Sequence, residues 1–325
     1  MPVAGVVRRR SFPRGSLRCG CGGPILPRRH RPPPEAPRPD IRSPTERSAG
    51  AERMSVGPGS IGSMPFLTPL PSESPEFDAD FSGPDLDPKQ WLPVYLPQWS
   101  SRERTRARYD IGDGVLRLRV DADQPAWSPE FDGVTRVSNL QTAVRSGAVG
   151  STSGQHPFRD GLVVREAQPD VRLYTPRFGR IEVVAAVDGI DEHAMAALWL
   201  IGVEDEPEQS AEICVFEIFG RDIRDDGSAL VGLGVHPFRD PAIVDDFERV
   251  PFAGDVREPH RYAVEWRADG IVFAIDDEVV KRVVQSPQYP MQLMLDVFAF
   301  PPEQPERAAY PESFAVHAVR GWRLD

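Results

Sequence analysis

Two carboxylates and a thiol stand inside one apolar run, Ala211-Glu212-Ile213-Cys214-Val215-Phe216-Glu217-Ile218-Phe219-Gly220. Val, Ile and Phe favour strands, and Gly220 closes the run. A charge in such a run is costly to bury unless it is paired or used. Side chains alternate faces along a regular strand, so Glu212, Cys214 and Phe216 share one face and Glu217 lies on the other. A single bulge after Cys214 returns Glu217 to the face of Glu212. The two glutamates are then about four strand steps apart, roughly 13 Å, and each side chain leans about 4 Å toward the other. The remaining gap of about 5 Å is the separation at which one carboxylate attacks a sugar carbon while the other donates and then removes a proton.

The elements that must hold this strand are short and punctuated by turns. Asp113-Gly114 is a hairpin turn ahead of Val115–Val120, which alternates apolar and basic residues. Further strands are expected at Phe77–Gly83, Gly161–Glu166, Phe178–Val187, Tyr262–Trp266, Ile271–Ile275, Glu278–Val284, Met291–Phe298 and Phe314–Leu324. Asp269-Gly270 and Asp276-Asp277 supply turns among them. Trp91–Trp99, rich in aromatics and proline, reads as an irregular cover over an edge or an end of a cleft. Residues 121–160 read as a long polar loop. Helix signals are nearly absent, and strands at this spacing imply a sandwich or barrel.

Glu-x-x-x-x-Glu in a strand resembles the active-site strand of glycoside hydrolase family 16, of the laminarinase, agarase and carrageenase type, whose bulged form reads Glu-x-Asp-x-x-Glu. Arg177-Phe178-Gly179-Arg180-Ile181-Glu182 resembles the family's Tyr-Gly-Arg-Phe-Glu strand. Ala197-Leu198-Trp199-Leu200-Ile201-Gly202 resembles its Pro-Ala-Phe-Trp-Leu segment, and His260 to Gly270 resembles its His-x-Tyr-x-x-Glu-Trp-x-x-Asp strand and turn. The likeness extends from about Phe77 to Leu324. It implies an all-β fold, a jelly-roll sandwich of two antiparallel sheets of the concanavalin A-like type. It also implies a retaining endo-β-glycosidase acting on a β-linked glucan or galactan.

On that resemblance Glu212 matches the nucleophile, which must be ionised, and Glu217 the acid/base, which must first be protonated. Cys214 stands where the family carries the Asp that orients and tunes the nucleophile; a neutral thiol fills the space without the charge. The alternative for Cys214 is a small core residue, and a Cys nucleophile is disfavoured because no basic neighbour is evident. Its presence opens a second function, a weakened or inactive carbohydrate-binding sandwich. Trp199 matches a sugar-platform tryptophan, against the alternative of a core tryptophan. His236 resembles a cleft histidine that could bond a sugar hydroxyl, against that of a plain surface histidine. His260 and Trp266 read as structural. No metal ligand set and no cofactor motif is evident, and a carbohydrate substrate is the expected partner.

Charge is uneven along the 325 residues. Residues 1–63 hold twelve Arg and four acids, net +8; the remainder holds 26 basic and 45 acidic residues, net −19. The acidic body argues against nucleic acid as a partner. Two units follow: residues 1–63, Arg- and Pro-rich and expected to be disordered, and a sandwich domain over residues 64–325. Neither a signal peptide nor an apolar run of membrane-spanning length is evident, so a cytoplasmic, membrane-free monomer is expected. Deleting residues 1–63 should leave the melting temperature within a degree or two, since the segment has little apolar surface to add to a core. A drop of many degrees in a thermal scan would show that it packs on the domain.

Overall fold

The computed structural model describes Leu67, residues 74–300 and residues 309–324; the expectation for residues 1–63 lies outside them. In chain order the strands are β1 (Phe77–Ala79), β2 (Arg108–Gly112), β3 (Val115–Val120), β4 (Arg136–Gln141), β5 (Ala143–Val144), β6 (Val171–Arg172), β7 (Gly179–Gly189) and β8 (Ala194–Gly202). There follow β9 (Glu212–Phe219), β10 (Ala229–His236), β11 (Asp246–Phe252), β12 (His260–Arg267), β13 (Gly270–Ile275), β14 (Glu278–Val283), β15 (Met291–Ala299) and β16 (Glu312–Trp322). One sheet runs β14-β13-β12-β7-β16-β3-β2, with β1 added beside β16; the other runs β11-β10-β9-β8-β15-β4. Their pairings are antiparallel throughout. This is the expected jelly-roll sandwich.

Alternation explains how the sheets meet. Ile181, Val183 and Ala185 of β7, Tyr262, Val264 and Trp266 of β12, and Val316 and Val319 of β16 form one wall of the core. Leu198 and Leu200 of β8, Ile213 of β9, Val231 and Leu233 of β10, and Leu293 and Leu295 of β15 form the other. The segments Arg177–Glu182 and His260–Gly270 become neighbours, with Arg180 paired to Glu265 across β7 and β12. Arg180 is buried and forms ion pairs with Glu182 and Glu265, on the sheet that does not carry the glutamate pair.

Asp113-Gly114 and Asp276-Asp277 both form tight turns in which each residue has positive φ (54° and 73°, 51° and 70°), as the twist of two-residue hairpins requires. The turn after β12 falls on Ala268-Asp269, one residue earlier than expected. Two segments differ from expectation more fully. Gly161–Glu166 is not a strand; Leu162 and Val164 are buried as single anchors of an irregular segment. Conversely, residues 121–160 contain β4, the edge of the six-stranded sheet. Its polar residues hid it: Asn139 Nδ2 donates to the Val94 carbonyl at 2.6 Å, and Gln141 Oε1 accepts from the Leu96 N–H at 3.0 Å. Buried polar groups satisfied in this way leave no apolar alternation to read. No helix among the described residues is long and apolar enough to cross a membrane.

Candidate active site

The bulge lies where the glutamate spacing requires it. Trp199 pairs with Cys214 and Leu198 with Phe216, so Val215 is the extra residue of β9. The β10 register shows the same insertion: Gly234 faces Cys214 and Gly232 faces Glu217. Val215 and Phe216 both turn into the inter-sheet core, where Phe216 stacks on Tyr262 at 4.5 Å. Each such burial contributes about 1.5–3 kcal/mol. Without the extra residue Phe216 would leave the core and a carboxylate would enter it, which costs several kcal/mol.

Three cross-strand rows therefore line the outer face of the six-stranded sheet. Gln292, Ile201, Glu212 and His236 form the first; Met294, Trp199, Cys214 and Gly234 the second; Asp296, Ala197, Glu217 and Gly232 the third. The structure thus brings Glu212, Cys214, Glu217, Trp199 and His236 onto one face, while Trp266 lies in the inter-sheet core and His260 begins β12 of the other sheet. Gly232 keeps the row beside Glu217 low: a Cβ there would stand 3.1 Å from the Glu217 Cβ and 2.5 Å from Phe247. Gly234 has φ +139°, and a Cβ would stand 2.2 Å from the Asp246 carbonyl.

The face is roofed. Tyr95, Leu96 and Trp99 from the Trp91–Trp99 segment, with Trp127, Leu162 and Val164, pack over Trp199, Met294, Phe298 and Cys214. Tyr95 lies edge-on to Trp127 at 4.7 Å and to Phe298 at 5.3 Å. Beneath this roof Glu212, Cys214 and Trp199 are 0 % exposed and Glu217 is 2 % exposed. Trp199 is buried like a core tryptophan, yet on the carboxylate face, and its indole N–H donates to Asp296 Oδ2 at 2.7 Å.

Sequence reasoning missed three residues here. His156 comes from the long segment before β6, in a positive-φ conformation (51°) that no local pattern marks. Its backbone N–H donates to Glu204 Oε1 at 2.7 Å, its ring stacks on Phe238 at 4.4 Å, and its Nε2 stands 3.6 Å from Glu212 Oε1. Burial, aided by the charge of Arg239, pushes its pKa down to about 3, so it stands beside Glu212 as a neutral ring. Asp296 was visible as a lone acid in the apolar run of β15. Asp245 sits beyond β10, and its Oδ1 lies 2.7 Å from His236 Nδ1.

Electrostatics follow from burial. Glu212 is held well above the usual carboxylate range, first by burial, then by Cys214 and Glu217, with His236 opposing. Neither Glu212 oxygen has a hydrogen-bond partner. Burial under the roof, which removes the water that would stabilise its charge, thus favours the protonated form of Glu212, whereas attack on a sugar carbon requires the ionised form. His236 shows the balance going the other way. Burial disfavours its charge, but hydrogen bonds and negative charge from Cys214, Glu212 and Asp245 outweigh that and raise it to about 10. Cys214 accordingly does have a basic neighbour, contrary to the sequence reading; β10 supplies it from 22 residues downstream.

Asp296 is also held well above its ordinary value, by burial first and then by Glu217 and Cys214, against the Trp199 hydrogen bond. An acid whose folded pKa is raised costs the fold stability as pH rises from its unfolded value through its folded value, because over that range the native state binds the extra proton. Asp296→Asn mimics the protonated form and does not titrate. Its melting temperature should match the parent near about pH 4 and exceed it by a few degrees near about pH 8, the effect of roughly 0.5–2 kcal/mol. Thermal scans across that range check this; a variant less stable at every pH would contradict it.

Residues 174–308 match the sequence profile of "Glycosyl hydrolases family 16". No functionally curated protein matches the chain in sequence. Among solved structures, a GlcNAcα1-4Gal-releasing endo-β-galactosidase from Clostridium perfringens superposes with a TM-score of 0.64 at 24 % identity, over 81 % of this chain and 63 % of that one. A non-specific endo-β-1,3(4)-glucanase of the same family gives 0.56 at 15 % identity, over 81 % and 99 %. The laminarinase catalytic domain of Thermotoga maritima gives 0.53 at 15 %, over 78 % and 98 %. The chain thus spans less than two thirds of the endo-β-galactosidase structure. At these identities the structures establish the shared fold, and the segment 174–308 is similar to glycosyl hydrolase family 16.

Proposed function

We propose that the chain is a retaining endo-β-glycosidase that cleaves a β-linked polysaccharide or oligosaccharide of the glucan or galactan class by double displacement. The observation that carries the reading is the bulged β9, with Glu212 and Glu217 on one face and Val215 as the extra residue between them. Glu212 attacks the anomeric carbon while Glu217 protonates the departing oxygen. Glu217 then takes a proton from the water that releases the sugar from Glu212. Attack needs an ionised Glu212, and the charge of His236 is what favours that form. Cys214, between the two, occupies the tuning position, and His236 faces it. Trp199 is the sugar platform, set by its bond to Asp296; because it is 0 % exposed, substrate entry requires the roof over it to lift.

A second reading, a carbohydrate-binding sandwich with little or no turnover, is favoured by Cys214 in place of an acidic residue and by the closed roof. One panel separates the two. The full chain is incubated with β-1,3-glucan, mixed-linkage glucan, β-galactans and xyloglucan, and the first product is followed by proton NMR. The expected result is internal cleavage with the β-anomer appearing first. Binding without release on every substrate would favour the second reading, and an initial α-anomer would overturn the retaining mechanism.

A further inference from the structure

Glu212, Cys214 and His236 bring three different donor atoms to one point. A carboxylate oxygen, the Cys214 Sγ and an imidazole nitrogen all lie within 4.8 Å of one another. The backbone dictates this. Glu212 and Cys214 are two residues apart on one face of β9, and His236 is the β10 partner of Glu212. Directly opposed residues of antiparallel strands hold their Cβ atoms about 4.5–5.5 Å apart.

The surroundings add independent pointers to a cation. Glu212 is 0 % exposed and neither oxygen has a hydrogen-bond partner, so a buried polar group is left without the partner that burial ordinarily demands. Asp245 Oδ1, 2.7 Å from His236 Nδ1, holds the ring by that nitrogen and leaves Nε2 buried without a hydrogen-bond partner. A carboxylate behind a histidine is the arrangement that orients metal-binding imidazoles. The His236 side chain is 15 % exposed and that of Asp245 66 %, so the C-terminal end of β10 gives a path from solvent to the donors.

We propose that Glu212, Cys214 and His236 form a site for a thiophilic divalent cation of the zinc class, and that the bound ion withdraws Glu212 from attack on substrate. Thiolate, imidazole and carboxylate together are a zinc-type donor set, with three protein ligands and one position left over; calcium and magnesium take oxygen ligands. Zinc bonds of about 2.0–2.3 Å set neighbouring donors roughly 3.5 Å apart, so side-chain torsions must close the group by about 1 Å. Binding requires Cys214 as thiolate and His236 as neutral imidazole, so a proton held by the pair is released, and the ion becomes the positive charge between the two anions. The withdrawal of Glu212 rests on its role as nucleophile in the proposed function; the binding does not.

The full chain with Cys19→Ser and Cys21→Ser retains Cys214 as its only thiol. Treated with chelator and titrated with Co²⁺, it should develop a thiolate-to-cobalt absorption in the near ultraviolet that saturates at one equivalent and is displaced by Zn²⁺. Cys214→Ala should abolish the band. Asp245→Asn, at an exposed position where folding is not at risk, should weaken binding by about 10–100-fold. No saturating band in the parent, its survival in Cys214→Ala, or unchanged affinity in Asp245→Asn overturns the site. One equivalent of Zn²⁺ should also reduce hydrolysis more than tenfold, with recovery on adding chelator. Full hydrolysis by a zinc-loaded chain overturns the withdrawal of Glu212. A full cobalt signal on a chain that hydrolyses nothing supports the site and counts against the proposed activity alone.

Discussion

Glu212→Gln should lower kcat by roughly 10⁴-fold or more, on the order of 5 kcal/mol of transition-state stabilisation, while sugar binding stays within a few-fold of the parent. The amide keeps the shape of the side chain but cannot form the glycosyl-enzyme bond. Folding should not suffer, because Glu212 is buried without a hydrogen-bond partner on either oxygen and no partner is left stranded by the change. Steady-state kinetics and a binding isotherm on the same preparation separate the two effects. Hydrolysis at the parent rate would remove Glu212 from the nucleophile position; loss of binding together with turnover would make it a substrate-positioning group.

Cys214→Asp should raise turnover, by about tenfold if the new carboxylate gains one charged hydrogen bond, which corresponds to about 1.4 kcal/mol. The position favours this outcome. Cys214 lies on the carboxylate face, between Trp199 and Gly234, with His236 as its partner. A carboxylate there restores the Glu-x-Asp-x-x-Glu pattern, keeps an anion opposite His236, and holds a negative charge next to Glu217 that favours its protonated form. A folded variant with no gain on any substrate that the parent cleaves would show that the thiol already serves the position. A folded variant that binds sugar and releases nothing, from a parent that also releases nothing, would favour the binding-module reading.

The bulge was legible because two charges in an apolar run need one shared face, and only an extra residue after Cys214 gives it; Val215 is that residue. The sandwich was legible because hairpin turns such as Asp113-Gly114 and Asp276-Asp277 carry local chemistry that survives in any context. What stayed hidden depends on contacts distant in sequence. His156 reaches Glu212 through a loop whose path is set by Glu204 and Phe238. Strand β4 is held by hydrogen bonds from Asn139 and Gln141 to the Val94–Leu96 segment rather than by apolar burial alone. Asp296 gave a usable signal, a lone acid in an apolar strand, but its bond to Trp199 emerges only when β15 and β8 pair. The basic neighbour of Cys214 follows from the β9–β10 register, which a run of residues cannot announce.

The assignment of Glu212 as nucleophile on a bulged strand is tested most directly by trapping the intermediate. The chain is incubated with a fluorinated β-glycoside that slows deglycosylation, digested, and mapped by mass spectrometry. A single glycosyl adduct on Glu212, absent from Glu212→Gln, is the predicted result. An adduct on Glu217, or steady hydrolysis of β-linked substrates with inversion and no adduct, would contradict the account.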